Sequence, residues 1–324
     1  MTTRHLENLF QPRSVALIGA SARVGSLGHA VMTNLRNAGF AGPVFLVNPR
    51  HKSIEGAPCV ARVSDLAAPP DLVVVAAPRD AVAQIMRQAA AFGVGAAIVI
   101  TADPSHGDRS LKAELAQIAA ETGIRIVGPN CLGVIVPRAK LDASFAAHPA
   151  IPGDLAVISQ SGAITAALLA WAHQRRIGFS GLVSVGDMAD IDFGDLLDYF
   201  ALESQTRAIL LYVESIRDTK GFMSAARAAA RVKPVIVIKS GRHPRAAKAA
   251  ATHTGALAGA DAVYDAAFRR AGLLRVNDIS ELFAAAETIG RIKPFAGDRV
   301  AILTNGGGLG VLTVDNLLDL GGKV

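Results

Sequence analysis

Aromatic residues are scarce in this 324-residue chain, at 5% of positions with a single tryptophan. Its interior must be built from alanine, valine, isoleucine and leucine, which suits buried parallel strands under alanine-rich helices. Cysteine is scarcer still. Cys59 and Cys131 stand far apart with no CxxC pair and no zinc spacing, so a disulfide framework is excluded. No apolar run approaches the ~18 residues of a membrane span. The opening, residues 1–14, is polar and mixed in charge, without the apolar stretch of a secretory signal. A cytoplasmic protein with no membrane partner is the expectation. Only 19% of residues are charged and 51% are hydrophobic, which excludes wholesale disorder. The 33 basic residues exceed the 27 acidic ones by six. That excess suits an anionic ligand but is too dispersed to imply nucleic acid.

Strand and helix signals alternate. Strands are predicted at 14–19 (SVALIG), 44–47, 72–77 (LVVVAA), 96–101 and 125–127, with helices at 26–38, 79–92 and 107–121. Such βαβ alternation predicts a parallel sheet covered on both faces. The pattern restarts with strands at 154–159 (DLAVIS), 181–185, 208–213 and 235–238, and helices at 162–174, 192–203 and 219–230. The stretch 239–259 is basic, then rich in small residues, and reads as a long functional loop. Helices follow at 260–271 and 279–292. A third restart, 298–304 (DRVAILT), leads into a glycine turn at 306–308 and one helix. The expected fold class is α/β: two doubly wound parallel-sheet domains, 1–138 and 139–296, and the first β–α unit of a third at 297–324. A lone β–α unit has nothing to pair with, so a truncated further domain is expected there.

Five constellations carry candidate chemistry. Gly19, Ser21, Gly25 and Gly28 follow the first strand and open a helix, where backbone N–H groups and the helix dipole favour a phosphate. The spacing is not that of the dinucleotide motif GxGxxG. The second strand ends in Asn48, Pro49 and Arg50, with Lys52 behind, where NAD binding wants a carboxylate. Basic residues there suit a ligand with an extra phosphate, such as CoA or NADP. The turn GPNCLG, 128–133, lies at the carboxyl edge of the first sheet, and its Cys131 reads as a small buried residue rather than a nucleophile. SQSG, 159–162, sets Ser161 and Gly162 at a helix start, another anion seat, and lacks the first glycine of a hydrolase elbow. THTGALAG, 252–259, places His253 among small residues downstream of Lys239, Arg242, His243, Arg245 and Lys248, a setting for an imidazole working among phosphates. Glu214, in YVES at the carboxyl end of a strand, reads either as a surface acid or as a carboxylate holding a histidine's other ring nitrogen. The histidines form no ligand cluster, and no metal site is expected.

GPNCLG, SQSG, YVES and THTGALAG, in this order on two successive α/β domains, resemble the NDP-forming acyl-CoA synthetases, which include ADP-forming acetyl-CoA synthetases. The resemblance runs along the whole chain. It implies a Rossmann-like CoA-binding domain followed by a flavodoxin-like domain similar to that of succinyl-CoA synthetase. It implies that His253 is transiently phosphorylated, Glu214 orients it, and Ser161 and Gly162 offer N–H groups to the phosphoryl group. Gly19, Ser21, Gly25 and Gly28 would line the CoA pyrophosphate, with Asn48 and Arg50 beside them and Asn130 near the thiol. A small carboxylic acid would be the co-substrate. ATP or ADP with Mg2+ would act through an ATP-grasp partner not present in this chain, and an oligomer is expected. The sequence is also similar to the synthetase-like region of bacterial lysine acetyltransferases fused to a GNAT domain, some of which sense acyl-CoA. The intact THTGALAG favours ligase chemistry.

Overall fold

The computed structural model describes residues 5–103, 110–243, 246, 260–291, 297 and 299–324. His253 and most of its loop lie outside the described residues. The chain divides into two compact units, Met1–Gly290 and Arg291–Val324.

The first unit holds two seven-stranded sheets. One runs β3 (Ser53–Ile54), β4 (Ala57–Val60), β2 (Val44–Val47), β1 (Val15–Ile18), β5 (Leu72–Val75), β6 (Ala96–Val99) and β7 (Arg125–Val127), parallel except at the β3–β4 hairpin. Its central strands are buried on both faces. Val15, Leu17, Leu72 and Val74 enter one core, while Ala16, Ile18, Val73 and Val75 enter the other. This two-sided burial is why LVVV is an unbroken apolar run rather than an alternating one. Helices α2 (Leu27–Ala38), α3 (Arg79–Phe92) and α4 (Leu111–Thr122) cover it.

The second sheet runs β14 (Leu274–Val276), β13 (Val235–Lys239), β12 (Ala208–Val213), β10 (Pro152–Ser159), β11 (Phe179–Ser184), β8 (Gly133–Val136) and β9 (Leu141–Ser144). Helices α5 (Gly162–Arg175), α6 (Phe193–Leu202) and α7 (Thr219–Ala230) connect its parallel strands. The β8–β9 hairpin is antiparallel and extends the edge at β11. The division expected at 138 falls inside that hairpin, so β8 belongs to the second sheet although it precedes the division in sequence. Strands β3, β4, β8, β9 and β14 have no counterpart among the predicted strands.

One core cluster runs through both sheets, from Val15, Leu72 and Ile98 to Ile158, Val183 and Leu211. A short helix, α1 (Leu6–Phe10), joins it by stacking Phe10 on Tyr199 at 4.1 Å. Helix α2 packs on β9, where Asn34 Nδ2 donates to the carbonyls of Ser144 and Ala146, both at 2.9 Å. Arg125 on β7 is nearly buried and donates to Asp190 at 2.9 Å, with Asp195 at 3.0 Å.

In the second unit, helix Gly307–Asp319 forms as expected, but among the described residues of the predicted strand at 298–304, which are 299–304, no strand forms. Among the described residues only Arg299 pairs, in a parallel bridge to Lys323. A single strand without neighbours cannot satisfy its backbone groups, and Leu303, Leu309, Val311 and Leu312 are exposed.

Asp142 on β9 is buried and accepts a hydrogen bond from Ser144 Oγ at 2.6 Å. Burial pushes its pKa from 3.8 to about 6, against the pull of that bond. The folded state therefore holds this proton more tightly than the unfolded chain. Its contribution to stability is full below about pH 4 and is lost as pH rises through about 6. Asp142→Asn keeps the acceptor and removes the buried charge. It should raise stability at pH 8 by roughly 2–3 kcal/mol and have little effect at pH 4, read by urea denaturation at both values. An equal effect at the two pH values would show that the charge is not the cause.

Candidate functional site at the carboxyl edges of the two sheets

The glycine turn sits at the carboxyl end of β1. A Cβ at Gly19 would lie 2.4 Å from the carbonyl oxygen of Ala76, and one at Gly28 would lie 2.0 Å from that of Gly19. Neither position has room for a side chain, so α2 starts tight against the sheet. Ser26 caps α2, its Oγ accepting from His29 N at 3.3 Å and donating to Arg23 O at 2.7 Å, while Ser21 Oγ accepts from Arg23 N at 3.0 Å. Residues 22–25 are left exposed, with Arg23 among them. Asn48 serves the turn from β2: its Nδ2 donates to Ala20 O at 2.8 Å and its Oδ1 accepts from Arg50 N at 2.9 Å. Its side chain builds the site, whereas Arg50 and Lys52 stand exposed beside it.

The edge continues along the sheet. Thr101, past β6, donates to Ala77 O at 2.7 Å and accepts Asn130 N on its carbonyl at 3.0 Å. Asn130 has a positive φ of 59° and donates from Nδ2 to Asp187 Oδ1 at 3.2 Å. Next to it, burial raises the Cys131 thiol to about 12 and its Sγ donates to Val99 O at 3.3 Å. Such a thiol stays protonated, so the buried structural reading of Cys131 holds.

In the second sheet, β10 ends at Ser159. Gln160 Oε1 accepts from the N–H groups of Glu214 and Ser215, at 2.6 and 2.9 Å, and its Nε2 donates to Ser215 Oγ at 3.2 Å. Ser161 Oγ caps α5 by accepting from Ile164 N at 3.3 Å, and Ser161 N donates to Ser159 Oγ at 3.1 Å. The backbone N–H of Ser161 expected to meet a phosphate is thus committed inside the protein. Among the described residues, the N–H of Gly162 has no such partner.

Asn130, Gln160 and Glu214 line one small cavity together with Lys112, Gly186, Asp187 and Ser215. It therefore draws on the carboxyl edges of both sheets, where ligands bind in open α/β folds. Burial lowers the pKa of the Lys112 ammonium; Asp187 opposes that and Arg217 adds to it. Lys239, at the end of β13, is buried with its Nζ 4.6 Å from the ring centre of Tyr264. Burial lowers its pKa too, while Asp261 and Glu214 oppose. Lys112, Gln160, Asp187 and Arg217 were not singled out from the sequence. The signal available for Asp187 was its place just past a strand end, in VGDMAD. Among the described residues no group of three metal-ligating side chains occurs. No described helix is long and apolar enough to cross a membrane.

Two successive domain families match the chain. Residues 13–137 match a CoA binding domain, and residues 152–289 match a succinyl-CoA ligase like flavodoxin domain. The fold and site thus define a CoA-ligase-type protein of two α/β domains. The α subunit of ADP-forming acetate–CoA ligase I from Pyrococcus furiosus is 43% identical over 317 residues, covering 96% of this chain and 69% of that subunit. An ADP-forming acetate–CoA ligase of Archaeoglobus fulgidus is 39% identical over 96% of this chain, which spans 45% of its length. Acetyl-coenzyme A synthetase 1 from Candidatus Korarchaeum cryptofilum, solved with phosphate and ADP, superposes over 98% of this chain and 69% of that one, with a TM-score of 0.93 at 37% identity. The chain belongs to the ADP-forming acetate–CoA ligase family and corresponds to its α-subunit portion.

The close approach of Gly28 to Gly19 makes a local prediction. Gly28→Ala should force α2 off the sheet and destabilise the fold by about 1–3 kcal/mol, measured by urea denaturation. Gly25→Ala faces open space but carries a φ of +82°, so a smaller loss is expected there. The reverse ranking would mean that packing against β1 does not fix the turn.

Proposed function

We propose that this chain is the CoA-binding and phosphohistidine portion of an ADP-forming acyl-CoA synthetase of the acetate–CoA type. The observation that supports it most is the cavity where Asn130 of the first domain meets Gln160 and Glu214 of the second. The glycine turn suits the CoA pyrophosphate: Gly19 and Gly28 bring the backbone close, and Ser21 and Gly25 frame the exposed stretch. Asn48 holds the turn, and Arg23, Arg50 and Lys52 supply positive charge with no carboxylate in the NAD position. Asn130 would lie near the thiol. The N-terminus of α5 at Gly162 favours a phosphoryl group.

In this reading His253 carries the phosphoryl group and Glu214 accepts the hydrogen bond of its other ring nitrogen. A carboxylate oxygen of the acid substrate attacks phosphorus as the P–N bond breaks, giving an acyl phosphate. The CoA sulfur, losing its proton, then attacks the acyl carbon as the C–O bond to phosphate breaks. ATP or ADP with Mg2+ acts through an ATP-grasp module on another subunit or domain, and an oligomer with it follows. The family comparisons favour this reading over an acyl-CoA sensor of a GNAT-fused acetyltransferase, since the relatives matched along 96% of the chain are ligases.

Two measurements test it. Calorimetry should show saturable binding of CoA or acetyl-CoA and none of NAD; NAD binding without CoA binding would falsify the assignment of the glycine turn. With its ATP-grasp partner and labelled ATP, the chain should acquire an acid-labile, base-stable phosphoryl group that is lost in His253→Ala. Glu214→Gln should slow labelling at least tenfold with the melting temperature unchanged, because an acid at a strand end contributes little to folding. Acid-stable label, or label persisting in His253→Ala, places the chemistry elsewhere. A folded, partnered enzyme with no label favours the sensor.

A further inference from the structure

The connection after β11 touches both halves of the site. Its N–H groups point to the first domain: Asp187 N donates to Pro129 O at 3.0 Å, Ala189 N to Gly128 O at 2.9 Å, and Ile191 N to Ile126 O at 3.1 Å. The Asp187 carboxylate takes the Asn130 amide, and the Asp190 carboxylate takes Ile126 N and Arg125 Nε, both at 2.9 Å. Residues 187–191 are thereby fixed to the turn that carries Asn130.

Two carbonyls of the same segment go to one side chain from the second domain. Arg217 donates from Nη1 to Ala189 O and from Nη2 to Asp190 O, each at 2.8 Å, with Asp192 at 3.9 Å. Arg217 stands three residues past Glu214, and Gln160 holds the backbone of Glu214 and Ser215 from the other side. A planar guanidinium reaching two successive carbonyls fixes orientation as well as distance, which a lysine cannot do. Its side chain is 43% exposed, so it contributes little to stability. What it does is join, through contiguous hydrogen bonds, the Asn130 turn to the Glu214 strand end.

We propose that Arg217 is a positioning residue that sets Asn130 and the CoA thiol end in register with Glu214, and so couples acyl transfer to phosphoryl transfer. The proposal rests on the functional reading above. That reading contains two half-reactions that separate experimentally without a nucleotide. Acetyl phosphate labels His253 directly, the imidazole nitrogen attacking phosphorus as acetate leaves, and this needs only the Glu214 side. Acetyl-CoA with inorganic phosphate must first form acetyl phosphate, a phosphate oxygen attacking the acyl carbon as the C–S bond breaks and the CoA sulfur takes a proton. That route needs both sides in register.

The test compares wild type, Arg217→Met and Arg217→Lys as full chains. Labelling is followed from [32P]acetyl phosphate and from acetyl-CoA with [32P]phosphate, with CoA affinity and melting temperature measured on the same samples. For Arg217→Met, labelling from acetyl phosphate should stay within about twofold of wild type. From acetyl-CoA and phosphate, the limiting labelling rate should fall at least tenfold while the acetyl-CoA concentration that half-saturates it and the CoA affinity stay unchanged. Arg217→Lys, which can reach one carbonyl, should recover part of the loss. Equal loss from both donors, loss confined to CoA affinity, or no loss overturns the proposal and leaves the functional reading intact. A wild type that labels from neither donor overturns the reading and the proposal with it.

Discussion

The rest of the site depends on how closely two stretches of backbone lie against each other. A Cβ at Gly186 would sit 2.1 Å from the carbonyl oxygen of Pro129, and Gly186 itself has a φ of +55°. Only glycine meets both demands. From that contact the N–H groups of residues 187, 189 and 191 run onto the carbonyls of 129, 128 and 126. The carboxyl end of β11 is thereby laced to the chain leaving β7. Ligands of parallel sheets bind beyond the carboxyl ends of the strands, and this lacing brings the two carboxyl edges together around one small cavity. Arg125, nearly buried and paired with Asp190 and Asp195, secures the same junction. Desolvating three charges offsets much of their attraction, so this network acts more to fix register than to add stability.

The parallel framework was legible because each central strand is buried on both faces and therefore shows as an apolar run: LVVV for β5, VIVI for β13. The helices between them followed from period and from stop signals such as Gly39. The hairpins were not legible. In β9 the sequence is LDAS, whose aspartate and serine are buried by satisfying each other, a pairing that no hydropathy pattern reveals. β3 and β4 are short and hold a proline. The strand predicted at 298–304 has the right composition, but composition does not supply a neighbour, and a strand exists only through its pairing.

The site divides in the same way. Motifs that are contiguous in sequence, the glycine turn and SQSG, were visible because their local geometry needs small residues in a row. Residues that act across the fold were not. Gln160 reaches Glu214 over 54 positions and Asn130 reaches Asp187 over 57. Nothing near Asp187 or Arg217 in sequence announces a partner. Asn48 was placed at the site by its neighbours, yet its amide is spent on Ala20 and Arg50, so it shapes the turn and leaves the positive charge to the residues around it.

The SQSG motif shows how structural roles, once assigned, isolate what remains for function. Ser159 fixes the backbone of Ser161 by accepting its N–H, and Ser161 caps α5. Gln160 receives two N–H groups at the end of β12, and replacing it by an apolar residue would leave both without their acceptor. Three of the four residues are thus explained by the fold. Gly162 is not. Its φ is not in the left-handed region, and a Cβ there would make only an ordinary contact, 3.5 Å from Leu132. Neither conformation nor internal packing requires glycine at the first position of this helix. Glycine leaves the N–H at this helix N-terminus bare, where the dipole favours negative charge. A bare N–H at this position is what the proposed phosphoryl site would require.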